Sequence, residues 1–294
     1  DGKWYGGTYG WGFTVVVPQT GELEHRPFFA LRYFLGFGNA LLLTGDRSYV
    51  DAVRGTIDGV NSNAREIDGV TMYPRMFGDD GWYDFRPEPF SSGALETYYW
   101  SMDKADRSRV PENGWLSFLE GHDPEFPVRE MQREFDNVRR HAQGVREEML
   151  TPDTRMSDDP MKFNPGWCGI LVQTMLGGLP TTNAAYPMHS RVRYFDPERR
   201  RAGVPQDVAA LVDNLTADEA AVTLVNINQV EEQVVIVQGG AYAEHVVSSA
   251  ELRGTTQEID GSSFAVRLAP GCGARLVLKT DRYANTPTLD FPWV

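Results

Sequence analysis

Near residue 190 the spacing of apolar residues changes from helical to strand-like. This change limits the folds that the chain can adopt. Before that point, apolar residues recur at helical spacings, and the loops between them are rich in glycine, proline and aromatic residues. After residue 208, short runs alternate apolar and polar side chains, as β-strands do. The order predicts an α+β protein whose helical part, residues 1–188, precedes an antiparallel β part, residues 189–294.

The helical part is predicted to consist of antiparallel helix pairs. The first helix runs from about residue 27 to 43 and ends at Gly45, and Asp46 can cap the second. That second helix runs to about residue 57 and carries Val50, Val53 and Ile57 on one face. Further helices are predicted over 91–107, 112–120, 128–149 and 166–176.

The helix predicted over 128–149 has the clearest pattern. A narrow apolar stripe crosses an otherwise charged surface, with members at spacings of three and four: Val128, Met131, Phe135, Val138, Ala142, Val145 and Met149. A helix of this kind is expected on the outside of a helical domain.

The β part is predicted to form an antiparallel β-sandwich. Strand-like runs cover 221–227, 233–238, 263–268 and 274–279. The Pro-Gly-Cys-Gly turn at 270–273 predicts that the last two runs pair as a hairpin.

The composition excludes several kinds of partner. The net charge is −13, and phosphate backbones need clustered positive charge, so no nucleic acid partner is expected. No segment reaches the roughly 20 apolar residues of a membrane span, so no membrane partner is expected.

The two cysteines are interpreted as unpaired thiols, and the scattered histidines give no metal-ligand spacing. No metal or other cofactor is predicted.

One short motif carries a family resemblance. Residues 41–46, followed by Tyr49, Asp51, Ala52 and Arg54, resemble the helix-to-helix corner of (α/α) toroid proteins. The chain is therefore similar to the six-hairpin glycosidases and toroidal polysaccharide lyases, in which a β-sandwich follows the toroid. The resemblance implies a carbohydrate-active enzyme, a carbohydrate substrate and an extracytoplasmic location.

The helix count departs from that family. A six-hairpin toroid needs about twelve helices, whereas about six are predicted here. We therefore expect an additional N-terminal toroid segment, either upstream in the gene or on a partner chain. Asp1 as the first residue fits the first of these options.

Aromatic residues make up 12% of the chain, and more than half of them precede residue 101. Tyr5, Tyr9 and Trp11 alternate with glycines, so an extended backbone would place their rings on one face. They are candidates for a substrate-binding platform that stacks on sugar rings. The alternative is a hydrophobic seam between helices or against the β part.

The segment 73–90 is predicted to be an irregular loop rich in acids and aromatic residues. Hydrolysis of a glycoside needs two carboxyl groups, and Asp79 beside Asp80 can raise one pKa by like-charge repulsion. Trp82 and Tyr83 are candidates for substrate binding. The alternative is a solvated turn in which an aspartate caps backbone amides.

Two further groups are candidates for the chemistry. Glu96, on the helix predicted from residue 91, could be the second carboxylate, or else a surface residue. His189, Arg191 and Tyr194 have the chemical types that a uronate lyase needs, because β-elimination requires a cation to neutralise the carboxylate and a base to remove the proton. They could instead belong to the first strand of the sandwich, packed at the domain junction.

Three functional hypotheses remain open from the sequence. The first is a glycoside hydrolase that uses Asp79 or Asp80 with Glu96, or alternatively a polysaccharide lyase that uses His189 and Arg191. The second is a non-catalytic subunit or fragment that completes a toroid with another chain. The third is a toroid that dehydrates small hydrophobic substrates such as terpenoids.

Overall fold

The computed structural model describes residues 14–16, 23–25, 33–78, 81–151, 153, 168–180 and 187–293. Seven helices lie within these residues: α1 (Tyr33–Thr44), α2 (Ser48–Asn61), α3 (Ala94–Ser101), α4 (Lys104–Arg107), α5 (Gly114–Leu119), α6 (Phe126–Glu147) and α7 (Gly169–Leu176). None of them is long and apolar enough to cross a bilayer.

The described strands are all short and pair antiparallel. In chain order they are β1 (Thr14–Val16), β2 (Leu23–His25), β3 (Arg65–Ile67), β4 (Val70–Met72), β5 (Met76–Gly78), β6 (Gly81–Tyr83), β7 (Val192–Asp196), β8 (Arg201–Ala202), β9 (Val208–Leu215), β10 (Glu219–Asn226), β11 (Gln233–Gly239), β12 (Val246–Leu252), β13 (Thr255–Gly261), β14 (Ser263–Leu268) and β15 (Gly273–Asp281). The predicted mixed α+β class is confirmed.

The chain divides into two compact units, residues 1–112 and 113–294. The predicted boundary between residues 188 and 189 does not coincide with this division. Helices α5 and α7 both pack on β9, so they belong to the same unit as the large sheets.

The first unit is built around the helices α1, α2 and α3. Val50, Val53 and Ile57 are buried on α2, as predicted from their spacing. Trp100 of α3 is also buried, and it lies so close to α1 that a Cβ atom on Gly38 would overlap its indole ring. A glycine is therefore required at position 38 for the two helices to pack.

The predicted helix over 91–107 is interrupted. Met102 adopts a left-handed conformation with φ of 56°, which ends α3, and the Asp103 side chain then caps α4 by accepting a hydrogen bond from Ala105 N. The break turns the chain so that Asp106 of α4 points back toward α2.

Asp106 ties the helices of the first unit together. Its carboxylate accepts hydrogen bonds from Arg54 Nε at 2.9 Å, from Arg109 Nη1 at 2.9 Å and from Ser101 Oγ. Its side chain is only 1% exposed. Burial alone would raise the pKa of Asp106, but these hydrogen bonds and the two guanidinium charges lower it.

The second unit contains two antiparallel sheets. The strand orders are β13-β12-β15-β10-β9 and β14-β11-β7-β8. The predicted hairpin at 270–273 is wrong, because β14 pairs with β11 whereas β15 pairs with β10 and β12. The turn instead carries the chain from one sheet to the other. Both strands alternate as predicted, but alternation does not specify the partner.

The apolar stripe of α6 is largely uncovered. Val128, Phe135 and Val145 are each more than half exposed, at 57%, 55% and 53%. The helix contacts α5 and α7 instead through a neighbouring face that carries polar residues. Amphipathicity therefore located this helix correctly but did not identify the face that packs within the second unit.

We predict that Asp106→Ala destabilises the protein by about 3 kcal/mol, because it leaves the guanidinium groups of Arg54 and Arg109 without their buried partner. Asp51→Ala is the matched control. It removes an ion pair of the same Arg54, but Asp51 is 69% exposed, so a loss below about 1 kcal/mol is expected. Urea unfolding of both variants measures the difference, and equal losses would contradict the role assigned to Asp106.

Candidate functional site

The structure describes only part of the predicted site. Tyr5, Tyr9, Trp11, Asp79 and Asp80 lie outside the described residues. The described candidates are divided between the units: Glu96, Trp82 and Tyr83 belong to the first unit, and His189, Arg191 and Tyr194 to the second.

The segment predicted as an irregular loop contains a β-hairpin. Strands β5 and β6 pair antiparallel, and the backbones of Tyr73 and Arg86 extend the pairing by a bridge. Trp82 and Tyr83 are neighbours on β6, so their rings project to opposite faces of the ribbon. The two side chains therefore do not form one continuous stacking surface.

A cavity of about 360 Å³ lies beside this hairpin, lined by Arg75, Asp84, Arg86, Phe90, Ser91 and Ser92. Arg75 Nη2 donates to the carbonyl of Glu88 at 2.6 Å, which ties the hairpin to the segment preceding α3. Burial, and secondarily the charge of Arg86, lower the pKa of Arg75. Two guanidinium groups thus share this cavity, where Asp84 pairs with Arg86.

Glu96 lies on the first turn of α3, and α3 follows this cavity directly in the chain. Phe90 precedes α3, and Asn61 of α2 forms two hydrogen bonds with the Phe90 backbone. The Asn61 Nδ2 group donates to the Phe90 carbonyl, and Asn61 Oδ1 accepts from the Phe90 N–H. Glu96 is half-buried, and burial raises the pKa of its carboxyl group. Within the described residues no cation pairs with this carboxyl group. A carboxyl group in such surroundings retains its proton to higher pH than usual.

The second group of candidates lies at the start of β7. His189 and Arg191 are buried but precede the strand, which begins at Val192, so strand alternation does not relate them. Arg191 donates from Nη2 to the carbonyl of Thr216. Burial, together with the charge of Arg282, lowers the pKa of His189 to about 4.

Tyr194 holds a helix in place. Its hydroxyl donates to the carbonyl of Met175 in α7 at 2.8 Å, and burial raises the pKa of the phenol far above its usual value. In this structure the tyrosine therefore joins β7 to α7, and its proton is held in a buried hydrogen bond.

A buried glutamate in the second unit has no counterpart in the sequence analysis. Glu244 is 1% exposed, and it accepts hydrogen bonds from the backbone N–H groups of Ala241 at 3.2 Å and Tyr242 at 2.7 Å. Burial outweighs these bonds and raises the pKa of Glu244 to about 7. Gly240 permits the arrangement, since its φ is +83° and a Cβ there would overlap the carboxyl group of Glu244.

A cavity of about 580 Å³ lies between α5, α6 and α7 in the second unit. The polar residues of α6 that line it are Glu130, Arg133, Glu134, Asn137 and His141. All of them are separated by three or four residues from another member of the set, so they share one helix face. Trp115, Phe126 and Gln173 line the other walls. We call this cavity the α6 groove.

Glu134 connects α6 to α7 by a hydrogen bond at the α6 groove. Its Oε2 atom accepts a hydrogen bond from the backbone N–H of Ile170 at 3.1 Å, which satisfies one free amide at the start of α7. A carboxylate at this position is also favoured by the helix dipole. The spacing of Glu130, Glu134, Asn137 and His141 is visible in the sequence, but the apolar stripe beside it is the stronger periodic signal.

Comparison with known proteins gives no guide to this site. No protein-family model, no curated protein and no solved structure matches the chain. Among the described residues, no group of three or more His, Cys, Asp or Glu side chains is placed to hold a metal ion. Cys168 and Cys272 are free thiols, as predicted.

We predict that Glu244 makes the protein less stable as the pH rises. Its folded-state pKa of about 7 exceeds its ordinary value of 4.5, so the unfolded chain releases this proton first. The contribution of Glu244 to stability therefore falls between about pH 4.5 and 7, by roughly 3 kcal/mol, whereas His189, whose pKa is lowered to about 4, contributes a rise over a similar range.

Urea unfolding at several pH values tests this prediction. The stability difference between the wild type and Glu244→Gln should shrink by roughly 3 kcal/mol from pH 4.5 to pH 7, because the histidines contribute equally to both proteins. The variant starts from lower stability because one backbone N–H loses its acceptor. Glu251→Gln, at an exposed position on β12, should retain the wild-type slope. An unchanged slope in Glu244→Gln would show that Glu244 does not carry the pH dependence.

Proposed function

We propose that the protein is a carbohydrate-active enzyme, a glycoside hydrolase that acts through paired carboxylates on an oligo- or polysaccharide. The observation that carries the proposal is Glu96, a half-buried carboxyl group whose pKa is raised by burial and which no described cation neutralises. A general acid that protonates a leaving glycosidic oxygen needs such surroundings. Asp79 or Asp80, in the same unit, is proposed as the second carboxylate.

The proposed architecture is an incomplete toroid of antiparallel helix pairs followed by a β-sandwich. Consecutive packing of α1 on α2 supports the helix pairs. The repeated passage of the chain between the two sheets, from β10 to β11 to β12 and from β13 to β14 to β15, supports the sandwich. The exposed apolar stripe of α6 is suited to packing against an additional toroid segment or a partner chain.

We expect Glu96→Gln to lower hydrolysis of unactivated oligosaccharides by about 10²- to 10⁴-fold, since the variant cannot donate a proton. Hydrolysis of a 2,4-dinitrophenyl glycoside of the same sugar should fall far less, because that leaving group needs no protonation. The measurement is the rate of reducing-end release for the full-length protein against dinitrophenolate release.

Glu88→Gln is the control, because Glu88 is exposed and lies in the same segment of the chain. Its rates should match those of the wild type on both substrates. An equal loss on both substrates in Glu96→Gln would argue against a general-acid role, and full activity would remove Glu96 from the chemistry.

The alternative is a polysaccharide lyase that uses His189 and Arg191, and one observation favours it. His189, with its pKa lowered to about 4, is unprotonated at neutral pH and has the form that a base needs. Arg191, in the same unit, is the cation proposed to neutralise the uronate carboxylate. The products distinguish the reactions, because a lyase leaves an unsaturated uronate whose conjugated double bond absorbs at short ultraviolet wavelengths, and a hydrolase leaves no such group.

A further inference from the structure

We propose that α6 pairs with α6 of a second copy of this chain as an antiparallel coiled coil. The apolar stripe of α6 follows a heptad pattern, because its members alternate spacings of three and four without interruption from residue 128 to 149. The helix itself contains six of them: Val128, Met131, Phe135, Val138, Ala142 and Val145. A repeat that continues for about three heptads between charged rows is typical of a coiled-coil helix.

The stripe is as narrow as the seam of a coiled coil. A helix that packs inside a globular domain usually adds one flanking row to its apolar face, whereas a coiled coil uses only two rows. The rows that flank the stripe are polar on both sides: Gln132, Arg139 and Arg146 on one, and Glu134, His141 and Glu148 on the other. Because Val128, Phe135 and Val145 are each more than half exposed, a second helix can cover them.

An antiparallel pair aligns the helices and their stripes at the same time. The midpoint of α6 lies between Asp136 and Asn137, and the midpoint of the six stripe residues lies at the same place. Two copies that overlap along the whole helix therefore also bring their stripes into register. The overlap extends over 22 residues, about 33 Å at 1.5 Å per residue.

The side chains fill the seam evenly in this register. Its layers join Phe135 with Val138, Met131 with Ala142, and Val128 with Val145 of the second copy. A parallel pair would instead place Phe135 on Phe135 and Ala142 on Ala142, which crowds one layer and leaves a gap in another. The order of large and small side chains therefore favours the antiparallel pair.

The flanking charges are complementary in the same register. In an antiparallel pair each flanking row faces the same row of the second copy. Glu125, the exposed residue immediately before α6, then lies opposite the exposed Arg146 of the second copy, and the symmetry of the pair repeats this contact. The other facing pairs are Glu134 with His141 and Gln132 with Arg139. None of these pairs joins two like charges, so a second copy of α6 complements the charge of the first.

The charges also oppose other registers. If one helix moved by a heptad relative to the other, Glu134 would face Glu134 or Arg139 would face Arg139, depending on the direction. Like charges in these positions are unfavourable. The full overlap of the two helices is therefore the register that the side chains and the charges both favour.

The mass of the full chain in solution tests the proposal. We expect sedimentation equilibrium to show twice the mass of one chain at micromolar concentrations, with dissociation on dilution because the interface is small. Phe135→Glu should weaken dimerisation at least about tenfold, since it places carboxylates in the seam. Phe135 is exposed in the single chain, so circular dichroism should show an unchanged fold.

Gln143→Glu is the matched control, because it adds the same charge at an exposed position of α6 outside the stripe and its flanking rows. This variant should form the dimer as the wild type does. An equal loss of dimer in Gln143→Glu and Phe135→Glu would indicate a general effect of charge and overturn the proposal.

Exchange of the end charges tests the direction of the pair. Glu125→Arg and Arg146→Glu should each weaken dimerisation several-fold at low salt, because each places like charges opposite one another. The double variant should restore the dimer, since its charges are again opposite. A parallel pair would keep these residues at opposite ends, so failure of the double variant to recover would overturn the antiparallel assignment.

Two further outcomes would overturn the proposal. The first is a chain that remains monomeric at every concentration, which would leave the stripe to another segment or a different protein. The second is a dimer that Phe135→Glu does not weaken, because its interface would lie elsewhere. The proposed hydrolysis does not enter these measurements, since the mass is determined without substrate and can be repeated in Glu96→Gln.

Discussion

Three hydrogen bonds between the end of α7 and the start of β7 hold the second unit in its arrangement. Leu179 N donates to the His189 carbonyl at 2.9 Å, Arg191 N donates to the Leu176 carbonyl at 3.0 Å, and the Tyr194 hydroxyl donates to the carbonyl of Met175. They fix α7 on the sheets, and α7 in turn presents the amide from which Glu134 accepts. The α6 groove therefore depends on contacts made at the opposite end of α7.

The local spacing of apolar residues predicts most of the helices and strands. It predicts few of the strands and helices with which each one pairs or packs. The spacing of Val50, Val53 and Ile57 identifies a buried helix face because helix periodicity is a local property. Strand β14 has its predicted limits, yet its predicted pairing is wrong. A turn containing Gly271 fits a hairpin and a passage between sheets equally well, and the choice depends on strands far away in sequence.

The candidate site is less predictable than the fold. Burial sets the pKa of Glu96, Glu244 and His189, and burial depends on tertiary packing that residue type does not encode. Glu96 stands out in the sequence because it lies beside aromatic residues, whereas Glu244 lies in an ordinary strand-rich stretch. On α6, the apolar stripe is the stronger periodic signal, although the polar face beside it lines the groove.

The strand order of the five-stranded sheet has a consequence for how the protein folds during synthesis. β15 is the last of the described strands and lies between β12 and β10. Until residue 281 has left the ribosome, the pairs β13-β12 and β10-β9 have no strand to join them. The five-stranded sheet can therefore be completed only after β15 has been synthesised. Because its strands pair over long distances in the sequence, its folding is expected to be slow. Loss of β15 would leave two separate ribbons in place of one sheet.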